Sequence, residues 1–125
     1  HHPVITPRSL VPMAFVNSVP RSIEFYRKLG FETGNTHTPE GGTEPIWAWL
    51  RSHGAHLMLA RASDPVIPEQ QVILFYVYCD DVLAYRTQLM ESGVECSAVT
   101  YPFYAPKGEF RVTDPDGYAL MITHT

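Results

Sequence analysis

His56 stands two residues before Met58, and an imidazole, which titrates near neutrality, is the side chain in this sequence best suited to move a proton. Strand alternation puts both residues on one face, so a cleft that receives Met58 also receives His56. No serine or cysteine stands beside it as a nucleophile–base pair. A lone imidazole also serves as a hydrogen-bonded wall residue, because a metal site normally takes three or four donors. His53 falls in a turn and reads as solvated. Glu109 and Arg111 share a strand face; they either fix a ligand's polar groups or form an exposed ion pair worth well under ~1 kcal/mol. No catalytic set is complete, and His56 and Glu109 are its candidates. Cys79 and Cys96 form neither a Cys-x-x-Cys pair nor a disulfide framework and read as free thiols.

The elements that must position these residues repeat. Leu10 to Val16 is an apolar run; Ser18 caps the helix that follows, Pro20 suits its first turn and Gly30 stops it. Val72 to Cys79 is a second such run, with Asp81 at the cap, a helical stretch through Leu89, and Gly93 as the stop. An offset of 63 residues carries Ser18 to Asp81, Gly30 to Gly93 and Gly54 to Gly117. It also carries Glu32 to Glu95, Trp47 to Phe110, and Leu57-Met58-Leu59 to Leu120-Met121-Ile122. The turn Arg51-Ser52-His53-Gly54 falls on Asp114-Pro115-Asp116-Gly117, where Pro second and Gly fourth favour a type I turn, so each half ends in a hairpin.

Ala62 to Gln71, with Pro65 and Pro68, has no periodicity and reads as the linker between halves. Thr33 to Pro45 is a Gly-, Thr- and Pro-rich loop. Tyr101 to Lys107 carries Tyr101, Phe103 and Tyr104 among the prolines Pro102 and Pro106; such aromatics either cover a ligand or close the end of the core.

The chain has 125 residues, enough for one compact unit that buries roughly two-thirds of its unfolded surface. Apolar residues make up 45% and charged residues 18%, so it is not a disordered tail. The net charge of −4, with no Lys/Arg run, argues against nucleic acid or an anionic membrane as partner. No stretch reaches the ~20 apolar residues of a membrane span, and no leader pattern opens the chain, so the cytoplasm is expected. His1 and His2 resemble the remnant of a purification tag.

Two tandem β-α-β-β-β modules, the stretch Ser22-Ile23-Glu24-Phe25-Tyr26 followed by Leu29-Gly30-Phe31, and Gly108-Glu109-Phe110 leading into Asp114-Pro115-Asp116-Gly117 resemble the vicinal oxygen chelate superfamily of glyoxalases, bleomycin-resistance proteins and extradiol dioxygenases. The resemblance runs from about Ser9 to the C-terminus. It implies an α+β, glyoxalase-like fold in which the modules form a curved mixed sheet around a cleft. Residues 1–125 then form one domain, with module one at about 9–61, the linker at 62–71 and module two at about 72–125.

In metal-using relatives, His and Glu on the first and last strands of each module hold a divalent ion. The resemblance assigns those places to Val11, Met58, Leu74 and Met121, and a slip of one residue gives Pro12, Leu57, Phe75 and Leu120. Catalytic metals need imidazole or carboxylate donors, and a thioether suits mainly Cu(I). No metal ligand and no cofactor is therefore expected.

By the same implication Val11, Met13, Phe15, Met58, Leu74, Tyr76, Tyr78 and Met121 line an apolar, aromatic pocket, with Trp47, His56, Tyr101, Phe103 and Tyr104 beside it. The same residues would be plain core if the two sheets met face to face. The implied function is small-molecule binding in the manner of bleomycin-resistance proteins, by a homodimer. A lyase, isomerase or oxygenase with a non-standard or metal-independent site is the alternative, and an interaction module with a filled cleft is a third.

Overall fold

The computed structural model describes residues 4–125; His1, His2 and Pro3 lie outside the described residues. The elements follow the order β1 (Met13–Val16), α1 (Val19–Leu29), β2 (Glu32–His37), β3 (Trp47–Ser52), β4 (Ala55–Arg61), β5 (Leu74–Tyr78), α2 (Val82–Glu91), β6 (Phe110–Thr113) and β7 (Ala119–Thr123). They form two sheets, of order β1-β4-β3-β2 and β5-β7-β6. In each, the first strand runs parallel to the last strand of its half, and the last two strands form an antiparallel hairpin.

The helices begin and end on the residues that the sequence nominates. The Ser18 side chain accepts from the Arg21 N–H and the Asp81 side chain from the Ala84 N–H, each satisfying one donor that a helix start leaves free. Gly30 takes φ 106° and Gly93 φ 83°, the left-handed conformation that ends a helix without a Cβ penalty. The linker is more ordered than its composition suggests: Pro68–Gln70 form a 3-10 turn, and Pro68 lies so close to Gly117 that a Cβ there would sit 2.5 Å from the proline Cα.

The second half departs from the first in two places. Residues 95–100, the counterpart of β2, bond to β6 irregularly and contribute one isolated bridge, Thr100 with Glu109. The hairpin turns also differ. His53 and Gly54 close the first as a two-residue loop with His53 at φ 52°, a left-handed centre that a type I turn lacks. The second holds the predicted turn, with the Gly117 N–H donating to the Asp114 carbonyl at 3.0 Å and Gly117 at φ 88°.

Five residues, 114–118, separate the paired Thr113 and Ala119, against four, 52–55, between the corresponding pair Arg51 and His56. The longer turn shifts β6 by one residue against the repeat. Ala48 pairs with Leu59 as Phe110 pairs with Ile122, so Trp47 corresponds to Glu109 and not to Phe110. A slip of one residue exchanges the two faces of a strand. Phe110 accordingly lies in the core at 1% exposure, while Trp47 lies on the opposite face.

Alternation sorts the strands other than β2. Ala14, Val16, Ala48, Leu50, Leu57 and Leu59 of the first sheet, and Phe110, Val112, Leu120 and Ile122 of the second, join one buried cluster with Val19, Tyr26 and Leu29 of α1 and Val82 and Leu89 of α2. Carboxylates fasten the halves together. Asp116, fully buried, accepts from the Asn17 N–H at 2.9 Å and the Ser22 hydroxyl at 3.4 Å, and faces the Arg21 guanidinium at 3.5 Å. Asp114 accepts from the Tyr26 hydroxyl at 2.8 Å and from the N–H groups of Asp116 and Tyr118.

Burial pushes the Asp114 carboxyl above the ordinary 3.8, outweighing the hydrogen bonds that favour its charge. A raised native value means that the stability it contributes is fully present below the unfolded-state value and is lost as pH rises. Relative to Asp114→Asn, the wild-type protein is therefore expected to lose unfolding free energy as the pH climbs from 3.8, and the difference levels off once Asp114 is ionised. Urea denaturation of both proteins across that range measures it. Parallel pH profiles would rule out this role for Asp114.

Candidate ligand-binding faces

Each sheet has a second face, turned away from the shared core, and the candidate residues gather there. On the first sheet one cross-strand row runs Met13, Met58, Trp49 and the next runs Phe15, Ala60, Trp47. On the second the corresponding row runs Tyr76, Met121, Arg111. Tyr78 pairs with Thr123, and continuing the β6–β7 register sets Glu109 beside Thr123. Met13 is 42% exposed, Phe15 51%, Leu74 40%, Tyr76 46% and Tyr78 59%. These side chains are not core, so the sheets do not meet through them.

Within one chain the candidates divide between the two faces instead of lining one wall. Leu74, Tyr76 and Tyr78 line a groove of about 900 Å³ together with His56, Leu57, Phe75 and Tyr85. Val11, Met13, Phe15, Trp47, Met58 and Met121 lie outside that groove, as do Tyr101, Phe103 and Tyr104. The loop aromatics do not close the core: Phe103 is 96% exposed, Tyr101 61% and Tyr104 54%.

His56 is held as a wall residue. Its Nδ1 accepts the Trp49 indole N–H at 3.2 Å, so the neutral ring carries its proton on Nε2 and the lone pair of a base is already engaged. Glu109 and Arg111 do not form an ion pair among the described residues; Arg111 is exposed, whereas Glu109 is 4% exposed and accepts from the Tyr104 hydroxyl at 2.9 Å. That bond and its charge push the Tyr104 phenol up to about 12. The free thiols are not primed for attack, since burial raises both Cys79 and Cys96.

The places that metal-using relatives give to ligands do not fit a hard cation. Val11 and Leu74 carry no donor, and Met58 and Met121 offer only a thioether. The neighbouring Leu57 and Leu120 belong to the core, and Pro12 and Phe75 are no better as donors. Among the described residues no three His, Cys, Asp or Glu side chains come together as a metal site. No helix there is long and apolar enough to cross a membrane.

The fold has solved counterparts. A bleomycin resistance determinant encoded on transposon Tn5 superposes with a TM-score of 0.76 at 16% identity, over 95% of this chain and 98% of that one. A bleomycin-binding protein from Streptomyces verticillus, solved with copper(II)-bleomycin, gives 0.72 at 19% identity over 98% and 99%. TnmS3, an antibiotic-binding protein from Streptomyces sp. CB03234, gives 0.70 at 20% identity over 98% of each chain. No curated protein sequence matches. A family model spans residues 8–122, from before β1 to within β7, and with both halves of the fold in place the chain belongs to the Glyoxalase/Bleomycin resistance protein/Dioxygenase superfamily.

Proposed function

We propose that this protein binds a small hydrophobic or aromatic molecule, in the manner of the bleomycin-binding and antibiotic-binding neighbours, and that it does so in the cytoplasm without a metal of its own. The observation that carries this reading is the pair of outward faces on which Met13, Phe15 and Trp47, with Met58, and Leu74, Tyr76 and Tyr78, with Met121, are left in reach of solvent beside a polar rim. Apolar and aromatic walls with a few polar groups are what such ligands need. Val11 and His56 border the first face, and Tyr101, Phe103 and Tyr104 supply an exposed cover for the second. Antibiotic sequestration is the physiological role that follows, with residues 8–122 acting as one binding unit.

The reading includes a homodimer. Among the described residues β1 pairs only with β4 and β5 only with β7, so each outward face ends there at an unpaired strand edge. A second copy would cover those edges and set a first-sheet face opposite a second-sheet face, turning two open surfaces into two clefts related by two-fold symmetry. Light scattering at micromolar concentration is expected to give twice the 14.1 kDa chain mass. A monomer there would contradict the paired-face arrangement. Binding itself is tested by melting the protein with bleomycin and with planar aromatic compounds, at least one of which must raise the melting temperature.

A further inference from the structure

Two buried oxygen atoms on the second outward face have no partner among the described residues: Glu109 Oε2 and Thr123 Oγ1. Their residues are 4% and 3% exposed. The register makes them neighbours, since Phe110 pairs with Ile122 and the next pair outward is Glu109 with Thr123, which in turn pairs with Tyr78. Tyr104, half-exposed, donates its hydroxyl to the other oxygen of Glu109. Tyr76 and Tyr78 stack with ring centres 6.2 Å apart. No Lys, Arg or His of the described residues forms a salt bridge with Glu109.

A buried carboxylate without a cation is costly, and so is a buried polar atom without a hydrogen-bond partner. Here both occur side by side, on the face where a ligand is to be bound. We infer that Glu109 and Thr123, with Tyr76, Tyr78 and Tyr104 around them, form a subsite for a primary ammonium group carried by an aromatic ligand.

The chemistry selects that group. An ammonium brings three N–H donors, enough to serve Glu109 Oε2 and Thr123 Oγ1 together while neutralising the carboxylate. Tyrosine faces attract the same charge. A neutral hydroxyl or amide could donate but would leave the charge unmatched, and two protein oxygens are too few for Ca²⁺ or Mg²⁺. The polar row of Tyr78, Thr123 and Glu109 adjoins the row of Tyr76 and Met121, so the ring and the amine of one ligand would fall on adjacent rows.

This inference rests on the proposed binding function, and its test separates the two. Calorimetric titration would compare 1-naphthylmethylammonium with its uncharged isostere 1-naphthylmethanol. The wild-type protein is expected to bind the amine at least about tenfold more tightly, a difference typical of a desolvated charge-assisted contact. Glu109→Gln should bring the ratio to about one, and Thr123→Val should lower it by a smaller factor. Melting of ligand-free Glu109→Gln gives a second readout: removing an unmatched buried charge while keeping an acceptor for Tyr104 should leave the melting temperature unchanged or raise it. Equal wild-type binding of the two compounds overturns the subsite and leaves the aromatic pocket standing. A preference that survives in Glu109→Gln, or a Glu109→Gln protein that melts well below wild type, also overturns it. Binding of neither compound removes both the subsite and the naphthalene-sized pocket.

Discussion

Asp116→Ala is expected to destabilise the protein by about 3 kcal/mol, the scale for removing one member of a buried, charge-assisted hydrogen-bond network. Asp116 lies in the β6–β7 turn, yet its partners lie at the start of the first half: the Asn17 N–H, the Ser22 hydroxyl and the Arg21 guanidinium. Alanine would leave the first two as unsatisfied donors in a space that admits no solvent, since Asp116 is fully buried. For a chain of this size the loss corresponds to a fall in melting temperature of roughly 10 °C. Asp116→Asn keeps an acceptor for the Asn17 N–H and should fall by less than half as much. A melting temperature for Asp116→Ala within roughly 2 °C of wild type would show that the turn does not fasten the two halves.

The second large effect concerns the first outward face. Met58→Glu should weaken the binding of aromatic ligands by at least about tenfold, because a carboxylate set between Met13 and Trp49 must be desolvated by the ligand or take up a proton. Met58 points away from the core, so circular dichroism and melting of the ligand-free variant should stay close to wild type. That combination distinguishes a lost wall residue from a lost fold. Leu59→Glu is the contrasting control: Leu59 is fully buried, and the change should prevent folding.

How much of this was legible in the sequence depended on range. Ser18, Gly30, Asp81 and Gly93 act within a few residues of themselves, and the structure has each at the helix end that it was expected to mark. The repeat gave the fold because it compares whole patterns. It misled at β6, where an eight-residue loop (101–108) precedes the strand in place of nine (38–46), and a turn longer by one residue follows. The net offset is restored on either side, so nothing at the ends betrays the slip between them. Trp47 was matched to Phe110 for that reason, and the burial of Glu109 opposite Thr123 went unseen.

The Asp114–Asp116 turn was read correctly as a turn but not as a clamp. The Asp116–Ser22 bond joins residues 94 positions apart, and no local pattern records such a contact. The candidate pocket residues are expected in one wall and lie on two faces. Alternation gives the face of each strand, but it does not say which sheet in which copy stands opposite.

The binding claim is tested most directly by titrating bleomycin into the protein while following tryptophan emission, in parallel without and with EDTA. Trp47 and Trp49 are the two tryptophans of the chain and both lie on the first outward face, Trp49 beside Met58, so a ligand seated there must disturb them. The account predicts saturable quenching that chelator does not abolish and that Met58→Glu weakens. Emission that stays flat with bleomycin and planar aromatic compounds alike, or a response that vanishes when EDTA strips a stoichiometric metal from the protein, would contradict it.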